Sequence, residues 1–597
     1  MNATLSHRGP DDAGAWISVD NGVGLAHRRL SILDLSRLGR NPMRLGERRL
    51  WITYNGEVYN FLELRRELEG LGYKFRSNTD TEVVLAAYDH WGLGCLQRFN
   101  GMFAFGLWDG DERRLFLARD RLGEKPLYYA EYGRKFAFAS ELKALLADPE
   151  FPREIDSDAV ALYLRYGYVP APYSIFRHAR KLPAAHYAIY QEGHLRIDRY
   201  WDPVAIALAR QTKLDEAEAT ETLEGLLKDS VRRRMISDVP VGAFLSGGID
   251  SSLVVALMKE QRAKALKTFT IRFDNPLFNE ADYAAAVAKN LGTEHHEETC
   301  GVAQMITIIE RLPDYFDEPF ADPSAIPTHL LSRFTRQHVT VSLSGDGGDE
   351  LFFGYPRYHD HAAYAKRVWS PGLPRPLKQI IRAGARLVPH PRSRNLFDKL
   401  LRDEFDSYAR WTTWWGLPKI EALTGRRPVP ENPVYSEIRS RSKGLSFKEY
   451  PPLVDLATYL PEQILTKVDR ASMAASLESR APFLDHRVVE FSLGLPLAMK
   501  WRGGQSKRIV RHILYKRVPP ALLERPKAGF DPPLADWFRG PLREKVASDF
   551  HGPWLEDLGI RPGPVRLLWS EFLAGSSVKV DLIWSVFALI LWVKRWK

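Results

Sequence analysis

One stretch constrains the fold of this 597-residue chain more than any other. The apolar run at residues 241–245 breaks into Ser246-Gly247-Gly248, continues as Ile249-Asp250-Ser251-Ser252, and takes helical spacing over residues 253–260. A short apolar run, a glycine break and a helical pattern read as strand, tight turn and helix. The pattern recurs: residues 267–273 read as a strand, 283–291 as a helix and 339–343 as a strand. Strands alternating with helices predict a parallel sheet, with ligands at the strand C-termini. An α/β domain is therefore expected over residues 215–597, entered by a helix at 216–236.

Upstream the texture differs. Residues 49–54, 103–108, 115–118 and 136–139 are short β-rich stretches, 62–71 and 81–91 have helical spacing, and Asn55-Gly56 reads as a turn. An α+β domain rich in antiparallel sheet is expected over residues 1–205.

Bulk properties exclude several classes. The charge of +10 arises from 84 basic and 74 acidic residues, a mild excess that implies no nucleic-acid partner. Two cysteines, Cys95 and Cys300, rule out a disulfide framework and fit a reducing, cytoplasmic setting. No charged segment followed by an apolar one opens the chain, so no secretory signal is expected. The longest apolar run, residues 582–593 with Ser585 inside it, falls short of the roughly 20 residues of a membrane span. It reads as a buried helix. Lys378, Arg382 and Arg386 lie four apart in a stretch with no acid, which suits a solvated face or an anionic partner.

The chemistry concentrates in two loops. Glycines in Ser246-Gly247-Gly248 let backbone N–H groups approach a phosphate chain, hydroxyls add donors, and the helix N-terminus supplies positive potential. No Gly-Lys-Ser/Thr follows, so this is not a Walker A loop. The Asp250 carboxylate would repel phosphate without an intervening cation, which implies Mg2+. The second loop, Ser344-Gly345-Asp346-Gly347-Gly348-Asp349-Glu350, also follows a strand, and its three acids suit a metal–phosphate clamp.

With these two loops in this order, the chain resembles the asparagine synthetase family of glutamine amidotransferases, over nearly its whole length. The resemblance implies an ATP-pyrophosphatase type of parallel sheet, with ATP and Mg2+ as cofactors. It puts Leu245, Ser246, Gly247, Gly248, Ser251, Ile271, Ser344, Gly345 and Asp346 at the nucleotide, and Asp250 and Asp349 on the metal. Asp346 stands where many members have Glu. Lys527, in Arg525-Pro526-Lys527-Ala528-Gly529-Phe530, matches a family lysine that stabilises charge on the reacting phosphate. Glu478 and Arg480, in the segment ending Ala481-Pro482-Phe483-Leu484-Asp485, form either a structural ion pair or an acceptor-binding pair.

The first half is similar to the family's glutaminase domain through His7-Arg8-Gly9-Pro10-Asp11-Asp12, Asn55-Gly56-Glu57-Val58-Tyr59-Asn60 and Asp80. By that resemblance Arg29, Asn55, Gly56, Glu57 and Asp80 bind glutamine, with Asn55 and the Gly56 N–H as oxyanion hole. The departure is the nucleophile: members begin, after Met removal, with a cysteine on an apolar strand, and here Asn2 follows Met1. A sandwich lacking its first strand is expected. Either the native start lies upstream, which is the expectation here, or the enzyme depends on ammonia.

The implied reaction is ATP-dependent amidation of a carboxylate through an acyl-adenylate, aspartate to asparagine being the family's usual case. A sugar uronate as acceptor, and a tRNA-modifying ATP pyrophosphatase, are the alternatives. Small-molecule substrates are the expected partners, with no membrane; a homodimer stays open.

Overall fold

The central strands of the first half, Gly101–Asp109 and Arg114–Arg119, bury both faces. The structure, a computed structural model, describes residues 1–209, 212–261, 265–273, 280–368, 408–426, 431–442, 445–446, 448–524, 532–576 and 580–597. Its first elements are β1 (Asp12–Ser18), β2 (Val23–Arg29), β3 (Met43–Arg44), β4 (Leu50–Val58), α1 (Phe61–Gly70), α2 (Asp80–Trp91), β5 (Gly101–Asp109) and β6 (Arg114–Arg119). There follow β7 (Tyr128–Tyr132), β8 (Lys135–Ala139), α3 (Leu142–Leu146), α4 (Ser157–Tyr166), β9 (Ala179–Lys181), β10 (His186–Gln191) and β11 (His194–Arg199). A six-stranded antiparallel sheet runs β11-β10-β6-β5-β4-β3.

Period-two alternation along β5 explains the layers. Phe103, Phe105 and Leu107 face α1 and α2 in a core with Leu64, Val83 and Val84. Ala104 and Trp108 face the opposite way, toward Leu25, Leu127 and Tyr129 of a second strand layer. That second layer is divided into the pair β1-β2 and the three-stranded β8-β7-β9. Helices α3 and α4 cover its outer side, in a core that continues into Phe269 and Ile271 of the second half.

Asn55-Gly56 is not a turn. The two residues lie inside β4, opposite Ala104 and Phe103 of β5. Glycine is required there for close approach, since at φ +148° a Cβ on Gly56 would stand 2.1 Å from the Met102 carbonyl oxygen.

The gap in the second layer is where the family resemblance expects an apolar strand. β2 pairs with β1 and β8 with β7, and their remaining edges line one cavity of about 740 Å³ with Met1 and Asn2.

The second half follows the expected alternation: α5 (Glu216–Arg234), β12 (Val241–Phe244), α6 (Ile249–Gln261), β13 (Lys267–Phe273), α7 (Ala281–Leu291), β14 (Glu294–Cys300), α8 (Ala325–Arg336) and β15 (Val341–Leu343). Later come α9 (Thr466–Met473), β16 (Glu478–Arg480), α10 (Arg508–Tyr515) and α11 (Val580–Trp596). Asp215 starts α5 as a capping box with Glu218. The sheet order is β14-β13-β12-β15-β16, with every pairing parallel. From β12 the chain builds outward on one side through β13 and β14, then crosses to β15 and β16 on the other. Such a reversal opens a crevice at the C-terminal ends of the strands beside it.

The apolar run at 582–593 is the buried core of α11. Ser585 is satisfied there: its hydroxyl accepts from Trp415 Nε1 at 2.9 Å and donates to the Leu582 carbonyl at 2.8 Å. No described helix is long and apolar enough to cross a membrane. The basic segment with Lys378, Arg382 and Arg386 lies outside the described residues.

Candidate active site

The crevice beside β12 holds both glycine-rich loops. After β12 the chain turns through Ser246-Gly247-Gly248 into α6, and the loop is knitted by its own hydroxyls. Ser246 Oγ lies 3.0 Å from Ser251 Oγ and accepts from the Gly248 N–H at 3.3 Å. The second loop follows β15, and its glycines let it press on the first. A Cβ on Gly345 would stand 2.8 Å from the Ser251 nitrogen, and one on Gly348 2.5 Å from Asp250 Cγ. The two loops can therefore meet only because these positions lack side chains.

Leu245, Ser246, Gly248, Asp250, Ser251, Ile271, Ser344, Gly345, Asp346 and Asp349 all line one cavity of about 930 Å³. Gly247 does not join them among the described residues. At φ +73° it turns toward α7, where a Cβ would meet the Ala284 nitrogen at 2.8 Å. Its backbone packs against Tyr283 and Ala284 at the start of α7. Lys527 lies outside the described residues.

Charge in this cavity is dense and partly desolvated. Burial pushes the Asp346 carboxyl up, against a 2.7 Å hydrogen bond from the Ser344 hydroxyl that lowers it. Burial and then Asp349 raise Glu350 to about 7, while Tyr355 donates to it at 2.8 Å.

Lys507 is a residue the sequence reading missed. Its ammonium is bonded to Asp250 and lies 2.6 Å from Asp349 Oδ1. Although burial lowers its pKa, Asp250 and Asp349 hold it above the ordinary lysine value. Ser506-Lys507-Arg508 carries no glycine or loop signature, so the one sequence signal is a lysine at the start of an amphipathic helix. Both carboxylates converge on one cationic centre, offering two hard oxygen donors of the type that a divalent cation shared with phosphates takes. Asp250 and Asp349 thus fit Mg2+.

The other cavity, between the strand layers of the first half, gathers Arg29, Asn55, Gly56, Glu57 and Asp80. Arg29 donates to the carbonyls of Leu33 and Ser36 at 3.0 Å and of Asp34 at 2.6 Å, so its guanidinium is held in place. Asp80 begins α2 and accepts from the Tyr54 hydroxyl at 2.7 Å and the Val58 N–H at 2.8 Å. Burial raises it to about 6. Asn55 Nδ2 lies 3.4 Å from Ser140 Oγ. Neither cysteine lines this cavity: Cys95 is buried in the helix-side core, where desolvation pushes its thiol up, and Cys300 is buried at the end of β14.

Glu478 and Arg480 do not line the cavity that holds the two loops. Arg480 is fully buried and donates to Glu478 at 2.8 Å and to the carbonyls of Arg234 and Ile236 at 2.9 and 2.8 Å. Its remaining nitrogen lies 3.1 Å from Glu57 Oε1. Glu478 lines the first-half cavity, and neither residue lines the nucleotide cavity. The pair is a buried ion pair, and through Glu57 it links the halves. A second set of buried charges does the same. Arg8 binds Asp469 at 2.7 and 2.9 Å and Glu141 at 2.9 Å, and Arg470 binds Glu141 and Asp317, each at 2.9 Å.

Comparison with known proteins matches both halves. Residues 222–594 match the asparagine synthase family and residues 1–201 the glutamine amidotransferase domain. Asparagine synthetase [glutamine-hydrolyzing] 1 of Bacillus subtilis is 33% identical over 99% of this chain and 92% of its own length. Asparagine synthetase [glutamine-hydrolyzing] 3 of the same organism is 32% identical over 89% of this chain and 83% of its own. The loop-lined crevice lies in the region matched to the synthase family and the cavity of the first half in the region matched to the amidotransferase domain, and the chain belongs to the asparagine synthase family, as a carbon–nitrogen ligase.

Proposed function

We propose that the protein amidates aspartate to asparagine, with ammonia or glutamine as nitrogen donor, converting ATP to AMP and pyrophosphate. The observation that supports this most is the meeting of the two loops at the ends of β12 and β15, with Asp250 and Asp349 converging on one cation.

Each residue has work that its position suits. The N–H groups at the start of α6 and the Ser246 and Ser251 hydroxyls face the phosphates, where aligned donors favour negative charge. Leu245 and Ile271 offer apolar surface to the adenine, and Ser344 and Gly345 line the same cavity. Asp250 and Asp349 would hold Mg2+, which when bound would offset the negative charge of the phosphates. Lys527 carries a positive charge to the reacting phosphate by the family resemblance. A β-carboxylate oxygen of aspartate attacks the α-phosphorus and pyrophosphate leaves, giving a β-aspartyl adenylate. Ammonia then attacks the acyl carbon, and AMP leaves with the transferred oxygen.

On the first-half side, Arg29 suits a carboxylate and Asp80 an ammonium, the two charges that glutamine presents at its α-carbon. Asn55 and the Gly56 N–H suit a developing oxyanion. The two buried cysteines, which form no disulfide, accord with a cytoplasmic location.

Aspartate labelled with 18O in its β-carboxyl group tests the adenylate. One labelled oxygen is expected in each AMP formed. AMP free of label would overturn the reading.

A further inference from the structure

Lys507 sits where a metal ion would. Its position is built rather than incidental. The residue has φ +55°, the left-handed region that a side-chain-bearing residue enters only when its surroundings impose it. Its N–H donates to the Phe352 carbonyl at 3.1 Å, and its own carbonyl accepts from the Arg511 N–H at 2.8 Å. Space for its stem depends on Gly354, where a Cβ would stand 2.2 Å from Lys507 Cε and 2.0 Å from Asp349 Oδ1.

Two carboxylates brought together in a partly dry crevice repel each other unless a cation lies between them. An ammonium meets that need, yet it also repels a divalent cation at hydrogen-bonding range. The ammonium and the metal therefore compete for the same two carboxylates. Nucleotide changes the balance, because its phosphates offer the ammonium a new anionic partner within the same cavity, which Lys507, Ser246 and Asp346 all line.

We propose that Lys507 is a resident counter-ion that occupies the space between Asp250 and Asp349 until nucleotide arrives, then swings to a phosphate oxygen, making metal binding conditional on nucleotide. This rests on the assignment of Asp250 and Asp349 as metal ligands. Lysine suits such a relay, being a compact charge on a flexible stem. Lys507 stays protonated throughout, so what moves is a charge and not a proton.

The test is Mn2+ binding to the full chain, followed by electron paramagnetic resonance, with and without α,β-methylene-ATP. Without nucleotide, Lys507→Met and Lys507→Gln should bind Mn2+ at least about tenfold more tightly than the wild type, a difference of about 1.4 kcal/mol. With the analogue present, that advantage should shrink or reverse. Equal Mn2+ affinities of wild type and variants without nucleotide would overturn the proposal. So would failure of both variants to fold by circular dichroism, which would make the ammonium a structural tie. If instead Asp250→Asn leaves Mn2+ binding unchanged in the presence of the analogue, the metal assignment itself fails.

Discussion

Arg480 lies 3.1 Å from Glu57 Oε1, so a cation on β16 of the second half draws down the pKa of a carboxyl in the first-half cavity that burial and then Asp80 push well above its ordinary value. The same residue's carbonyl accepts from the Ser344 N–H at 2.9 Å, at the head of the second nucleotide loop. Within three residues, β16 thus touches both sites.

Removing the cation takes from Glu478 its buried ion-pair partner and from Glu57 the nearby charge that opposes the upward push of burial and Asp80. Breaking a buried pair in this way costs about 3–5 kcal/mol. Arg480→Met is therefore expected to lower the thermal midpoint by several degrees. Adding Glu57→Gln to it should recover part of the loss in the same melting assay, whereas additive losses would show that the two residues do not interact.

Contact between the loops gives a second expectation. An alanine methyl at position 348 would stand 2.5 Å from Asp250 Cγ and 2.6 Å from its Oδ1, so that carboxylate must move. Displacements of about 1 Å in an active site cost on the order of 10²-fold in rate. Gly348→Ala should lower kcat/KM for ATP by about that factor with little change in melting temperature. A variant with wild-type kinetics would contradict the geometry.

Glu350 supplies a pH test in the absence of nucleotide. Burial and then Asp349 raise its pKa from 4.5 to about 7 in the folded protein. A carboxyl with a raised folded pKa binds its proton more tightly folded than unfolded. It therefore destabilises the fold progressively as pH rises from about 4.5 to about 7, and fully above that. Glu350→Gln keeps an acceptor for Tyr355 and removes the charge. Its stability relative to wild type should be level near pH 4.5 and higher by up to about 3 kcal/mol at pH 8. A difference that does not vary with pH would refute the raised pKa.

The nitrogen donor can be separated from the synthetase step. With Cys95 and Cys300 both buried outside the glutamine-side cavity, ammonium should support AMP formation by the 597-residue chain and glutamine only at background. Cys95→Ala should leave the ammonia-dependent rate unchanged. A glutamine-dependent rate abolished by that substitution would assign Cys95 a role its position does not suggest.

The strand-and-helix order of the second half was legible because each element announces itself locally: β13 spans Lys267–Phe273, as its extended pattern predicts. The loops were legible for the same reason, since glycine and hydroxyl spacing is a local property. What the sequence hid was non-local. Asn55-Gly56 has the composition of a turn, but the demand on Gly56 comes from Met102 on the neighbouring strand. Arg480 reads equally as half of an ion pair with Glu478 or as an acceptor-binding residue, and its contact with Glu57, far away in sequence, carries no local signal. Lys507 carries no motif at all, and only the fold brings it to Asp250 and Asp349.

The central claim is that the two loops activate aspartate with ATP, and pyrophosphate release measures it most directly. With ATP, Mg2+ and ammonium present, release should require aspartate, should match AMP and asparagine one for one, and should be lost in Asp250→Asn. Release that ignores aspartate but responds to another carboxylate, such as a sugar uronate, would contradict the account.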